Sequence, residues 1–154
     1  MTVEGVRLIP LRRFEDGRGW FTELMRASEL PQPVRQSNLV WSRQGVIRGL
    51  HYHERGQCDL FACLQGMVRV VILDRESGET FSEDIGDENR AAVWVPGHHA
   101  HGYEALTDCL FLYHVTEEYD REDPDEHEVP WNDPRVAHLW STESPILSER
   151  DAVT

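Results

Sequence analysis

Two histidines separated by one residue stand in the stretch Gly45-Val-Ile-Arg-Gly-Leu-His-Tyr-His53. Side chains of an extended strand alternate with period two, so this spacing predicts that His51 and His53 share a face. Imidazole serves near neutral pH as base, acid or metal ligand. Arg48 sets an anion-binding guanidinium three residues before His51. A second set, His98, His99 and His101, follows Val95-Pro-Gly97, and His101 is the best placed of these to meet His51 if their strands line one interior. A lone strand histidine is ordinarily a hydrogen-bonded core or surface residue, whereas histidines converging beside arginine mark a site. Cys63, between Leu60-Phe-Ala62 and Leu64, reads as packing rather than as a nucleophile.

The elements that must position these residues read as strands. Candidates are Val6 to Ile9, Trp20 to Met25, Arg35 to Trp41, Val46 to His53, Leu60 to Leu64, Met67 to Asp74, Glu79 to Asp84, Ala91 to Val95, Ala100 to Leu106 and Cys109 to Glu117. Turn signals such as Gln65-Gly66, Glu76-Ser-Gly78 and Gly86-Asp-Glu-Asn89 separate them. One helical turn is expected at Arg26 to Leu30, ended by Pro31 and Pro33. Short strands at regular spacing with almost no helical periodicity indicate an all-β sandwich or barrel.

At 154 residues the chain suits a single domain, residues 1–154, with a sizeable core. Its 40% hydrophobic and 28% charged residues are ordinary for a globular protein. The net charge of -13 argues against nucleic acid and against an anionic membrane surface. An anionic ligand must then be held by a few arginines, with Arg12, Arg13, Arg18 and Arg48 in view. The acidic run from Glu117 to Glu128 reads as a solvated loop. Apolar runs are of strand length, too short for a membrane span, and the N-terminus has neither the basic start nor the apolar stretch of a secretory signal, so a cytoplasmic location is expected. The three cysteines are expected to be free thiols.

Several ordered motifs resemble the dTDP-4-dehydrorhamnose 3,5-epimerase family, enzymes built on a cupin jelly roll. They are Asp16-Gly-Arg-Gly-Trp-Phe-Thr-Glu23, Gln36-Ser-Asn38, Gly45-Val-Ile-Arg-Gly-Leu-His-Tyr52, Ala100-His-Gly-Tyr103, Tyr113 through Tyr119, Trp131-Asn-Asp-Pro134 and Leu147-Ser-Glu-Arg-Asp151. The resemblance implies a general base at His51, a carboxylate orienting it at Asp151, and an acid on the opposite face of the sugar at Tyr113. It implies that Arg18 and Arg48 hold the substrate, and that Phe21, Glu23, Gln36, Asn38, His101 and Tyr119 line the site. It further implies a homodimer whose N-terminal segment carries Arg18 to the neighbouring subunit's site.

The chemistry so implied is deoxysugar epimerisation without a cofactor. A ketone at C4 of a nucleotide-linked 6-deoxyhexose acidifies the hydrogens at C3 and C5. A base then removes one and an acid returns it to the other face.

Two positions depart from the family. Asp59 stands where the family has a lysine that stabilises the enolate, and His53 where glutamine is usual. His51, His53, Asp59 and His101 together resemble the ligand set of metal-binding cupins, an alternative suited to zinc or iron. A His-x-His at this place also resembles the metal-free sugar-nucleotide 3,4-ketoisomerases. A sugar-nucleotide binder without catalysis is the remaining alternative.

Overall fold

The computed structural model describes residues 3–152 and is built almost entirely of strands. In chain order these are β1 (Arg7–Pro10), β2 (Phe14–Asp16), β3 (Gly19–Phe21), β4 (Gln36–Ser42), β5 (Ile47–Tyr52), β6 (Cys58–Gln65), β7 (Met67–Leu73), β8 (Thr80–Gly86), β9 (Ala91–Pro96), β10 (Ala100–Ala105), β11 (Cys109–Val115) and β12 (His127–Glu128). Two single 3₁₀ turns, Ala27–Glu29 and Ala137–Leu139, complete the described elements.

The strands form two five-stranded sheets, ordered β1-β9-β6-β11-β4 and β12-β5-β10-β7-β8, with β2 and β3 as a separate hairpin. All strand pairings are antiparallel and most join strands distant in sequence, as in β11 with β4 and β10 with β5. Two sheets wrapped face to face by such crossovers make a jelly roll.

The apolar runs are explained by burial on both faces. In β7, Val70 and Ile72 enter the core between the sheets, while Val71 and Leu73 turn outward beneath Val136, Trp140 and Leu147 of the C-terminal segment. In β6, Phe61 and Cys63 face the core, and Cys58 and Leu60 pack with Trp94 under Leu11, Met25 and Leu30. A strand covered on both sides loses the polar alternation of a half-exposed one. All three cysteines are buried and free, and burial pushes the Cys63 thiol up to about 12.

Differences from the expected elements lie at their ends. The run from Trp20 to Met25 is strand only as far as Phe21, because the hairpin pairs Phe14 with Phe21 and has no partner beyond. The strand β12, which pairs His127 and Glu128 with Tyr52 and His51, carries no alternating apolar pattern that would reveal it.

The C-terminal segment is placed by specific contacts. Trp140 Nε1 donates to the Trp131 carbonyl at 2.7 Å, and buried Glu104 accepts the Ser141 amide at 2.8 Å. Ile146 then bridges to Val46, with Ile47 N–H donating to the Ile146 carbonyl at 3.1 Å. These contacts bring the chain back alongside β5 just before it reaches Asp151.

Candidate active site

A cavity of about 890 Å³ opens between the sheets. His51 lies on β5, which pairs with β10 so that His51 stands opposite His101. Gly49 permits that approach. Its φ is +132°, and a Cβ there would lie 2.8 Å from Gly102 Cα and 2.9 Å from the His101 carbonyl oxygen.

His51 Nε2 lies 2.8 Å from Asp151 Oδ1 across 100 residues of sequence. The carboxylate draws the proton to Nε2 and leaves Nδ1 with a lone pair to act as base. Asp151 is buried, and its other oxygen accepts the Gly49 amide at 3.1 Å. Burial opposes its ionisation, but the hydrogen bond and charge of His51 outweigh that and hold it below the ordinary carboxylate range. Arg150 Nη2 also approaches His51 Nε2, at 3.1 Å, while its guanidinium pairs with Glu126 at 2.9 Å and Glu128 at 2.6 Å.

Tyr113 enters the same cavity from β11, edge-on to Phe61 with ring centroids 6.4 Å apart. Burial pushes its phenol above the usual range, reinforced by the negative charges of Asp59 and Glu126. It is therefore protonated at neutral pH, as an acid must be. Arg48 lines the cavity, its Nε donating to Ser42 Oγ at 2.9 Å. Gln36 donates to Asn38 Oδ1 at 2.9 Å and accepts the Tyr119 amide at 2.8 Å, tying the loop after β11 to β4.

On the cavity floor a second group is buried. Asp59 Oδ2 is 3.4 Å from His101 Nε2 and Asp59 Oδ1 is 3.8 Å from His53 Nε2. Burial opposes ionisation of Asp59 too, but the bond and charge of His101 and the charge of His53 hold its pKa below the ordinary value. For His101, burial is outweighed by the Asp59 bond and the pKa is raised; for His53, burial and the neighbouring His101 lower it.

The family model described as dTDP-4-dehydrorhamnose 3,5-epimerase matches residues 1–154. The chain belongs to the dTDP-4-dehydrorhamnose 3,5-epimerase family. The epimerase of that name from Pseudomonas aeruginosa is 35% identical over 167 residues, covering 98% of this chain and 90% of its own. The spore coat polysaccharide biosynthesis protein SpsL of Bacillus subtilis is 35% identical over 149 residues, covering 92% of this chain and 98% of its own. Among solved structures, the Mycobacterium tuberculosis rmlC epimerase superposes with a TM-score of 0.90 at 31% identity, covering 100% of this chain and 84% of that one. The jelly roll is thus the cupin fold of the epimerase family.

Of the residues expected from the epimerase family's motifs, His51, Tyr113, Asp151, Gln36, Asn38, Arg48, His101 and Tyr119 line one cavity, with His53 and Asp59. Arg18, Phe21 and Glu23 do not reach it within the chain. Arg18 lies on the β2–β3 hairpin paired with Asp16 at 2.6 Å, and Glu23 pairs with Arg26 at 2.6 Å. Nor is the four-ligand metal alternative assembled as expected. The potential ligand atoms of His53, Asp59 and His101 lie within 4.8 Å of one another, while His51 groups instead with Glu128 and Asp151. Strand β5 ends at Tyr52, so the period-two rule no longer governs His53, whose Nδ1 turns to the Asp125 carbonyl.

Sequence reasoning missed Arg150, although it sits inside the motif ending at Asp151. It also missed the role of the acidic loop. Asp125 accepts the amides of Glu54 at 3.0 Å and Arg55 at 2.8 Å, and Glu117, Glu118, Asp120, Asp123 and Glu126 help wall the cavity. A run of carboxylates carries no signal separating a solvated loop from a wall.

Proposed function

We propose that this protein epimerises a nucleotide-activated, dTDP-linked 4-keto-6-deoxyhexose at C3, C5 or both, by proton abstraction and reprotonation. The observation that carries the reading is the His51–Asp151 pair at 2.8 Å in a cavity also lined by Tyr113. His51 Nδ1 takes the proton α to the ketone, forming an enolate. Asp151 fixes the tautomer and stabilises the imidazolium. Tyr113 delivers a proton to the other face and so inverts the centre. Arg48 faces the diphosphate, where a guanidinium makes bidentate contacts.

The assembly that completes this reading is a homodimer. The β2–β3 hairpin stands outside both main sheets with Trp20 48% and Phe21 62% exposed. On β4, Leu39 and Trp41 are 61% and 58% exposed on one face. Covering these apolar surfaces against a second copy would carry Arg18, Phe21 and Glu23 toward the partner's cavity, adding a cation where the acidic wall most needs one. Among the described residues no helix is long and apolar enough to cross a membrane.

The test is incubation with dTDP-4-keto-6-deoxyglucose in deuterium oxide. Deuterium is expected at C3, at C5 or at both, and is lost in His51→Asn. A 3-keto product would identify a ketoisomerase, and binding without label would identify a non-catalytic binder.

A further inference from the structure

We propose that His53, Asp59 and His101 bind one divalent transition-metal ion, of the zinc or ferrous class, on the floor of the cavity. His53 Nδ1 lies 2.6 Å from the Asp125 carbonyl oxygen and His101 Nδ1 lies 2.8 Å from the His99 carbonyl oxygen. A carbonyl only accepts, so each Nδ1 carries a proton and donates it. Both Nε2 atoms face inward, and in the neutral rings both present lone pairs. Opposite them is the Asp59 carboxylate, an acceptor as well, at 3.8 Å and 3.4 Å. The three residues are only 7%, 3% and 4% exposed, in the order His53, Asp59 and His101. With both imidazoles neutral, two lone pairs and a carboxylate converge on one buried point, a donor set suited to a cation.

The spacing suits a metal. A tetrahedral zinc ion with bonds of about 2.0–2.1 Å sets its ligand atoms roughly 3.3 Å apart, so the observed gaps close with small side-chain rotations. A histidine anchored through its second nitrogen to a backbone carbonyl has the tautomer and orientation that metal ligation needs. Two imidazoles and one carboxylate match zinc or ferrous iron, and three protein ligands leave a position open to the cavity.

Without metal, hydrogen-bond donors fill the gap. Gln57 Nε2 lies 3.0 Å from Asp59 Oδ1 and 3.2 Å from His53 Nε2, and a proton bridges His101 to Asp59. The ion displaces that proton and the amide NH₂, and a half-turn of the amide offers Gln57 Oε1 as a further ligand. His51 stays outside the ligand set, so the base is not consumed. If the epimerase reading holds, the ion restores positive charge where the family's lysine is replaced by Asp59, within reach of a developing enolate. Metal binding itself does not depend on that reading.

The full chain, stripped with chelator and dialysed against zinc or cobalt, is assayed by elemental mass spectrometry and visible absorption. One ion per chain is expected, with cobalt d–d bands of low coordination number. Asp59→Asn and His53→Gln each weaken binding about tenfold or more, while His51→Asn keeps the full complement. Circular dichroism checks that each variant is folded, and His53→Gln carries the test alone if Asp59→Asn does not fold. A wild-type chain that retains no ion after dialysis overturns the proposal. So does equal binding by the wild type and both variants. A wild-type chain that binds no ion yet exchanges deuterium would sink this proposal and leave the epimerase reading standing; metal binding without exchange would do the reverse.

Discussion

In the proposed reaction His51 relies chiefly on its 2.8 Å contact with Asp151, which would both select the Nε2–H tautomer and stabilise the charge that proton abstraction creates. Asp151→Asn keeps the shape and removes the charge, and the amide can present its NH₂ to Nε2 and favour the wrong tautomer. The expected result is a fall in kcat of about 10²–10⁴-fold, the span of one general acid–base contribution, with KM for the sugar nucleotide little changed. Tyr113→Phe separates the two half-reactions. His51 still exchanges its proton with solvent, so deuterium washes into the substrate while net epimerisation, followed by NMR of the product, falls by about 10²-fold or more. Equal loss of exchange and epimerisation would place Tyr113 in the first step instead.

At the scale of the element, β5 and β10 bring His51 opposite His101 only because Gly49 and Gly102 let their backbones approach. A methyl at Gly49 would meet the backbone of Gly102 and His101, which cannot rotate aside, at a positive φ that L residues rarely adopt. Gly49→Ala is expected to destabilise the fold by about 2–4 kcal/mol, lowering Tm by roughly 5–15 °C for a domain of this size. Its activity at temperatures well below the new Tm should fall as well, since His51 sits two residues farther along the same strand. A melting curve unchanged from wild type would show that the strands have slack at this point.

For the molecule as a whole, a net charge of -13 makes the response to acid informative. The pKa values of Asp74, Asp125, Asp133 and Asp151 are all lowered: Arg135 does this at Asp133, and at the other three, backbone amides or His51 outweigh burial. A carboxylate lowered in the folded state contributes stability that is full above its unfolded value of about 3.9 and is lost as pH falls through its folded value. His53, lowered by burial, subtracts stability as pH drops through about 6.5, whereas His101, raised by Asp59, adds it. Tm is therefore expected to change little from pH 7 to 5 and to fall steeply below about pH 4. The fall should be shallower in Asp125→Asn, whose starting stability is already reduced by weaker capping of Glu54 and Arg55. The proposed homodimer would bury the exposed pair Leu39 and Trp41, so the wild type is expected to sediment as a dimer and a variant with both replaced by glutamate as a monomer in analytical ultracentrifugation. A wild-type chain that sediments as a monomer would overturn the proposal that Arg18 serves a neighbouring subunit's cavity.

Strand composition, turn residues and the absence of helical periodicity determined the all-β class, since those signals are local and period two is carried by neighbouring residues. That His51, Tyr113 and Asp151 share one cavity was legible as well, because the motifs around them occur in order along the chain. Which partner each histidine takes was decided by tertiary structure. His51 and His53 are two residues apart, yet the return of the C-terminal segment beside β5 gives His51 to Asp151, while the end of β5 and the Asp125 carbonyl turn His53 toward Asp59 and His101. The acidic run likewise became a cavity wall only when Asp125 captured two amides from the loop after β5. Spacing along a strand sets the side from which a residue starts. Hydrogen bonds to segments 70 to 100 residues away set where its polar atoms finish, and those contacts exist only after the sheets have closed.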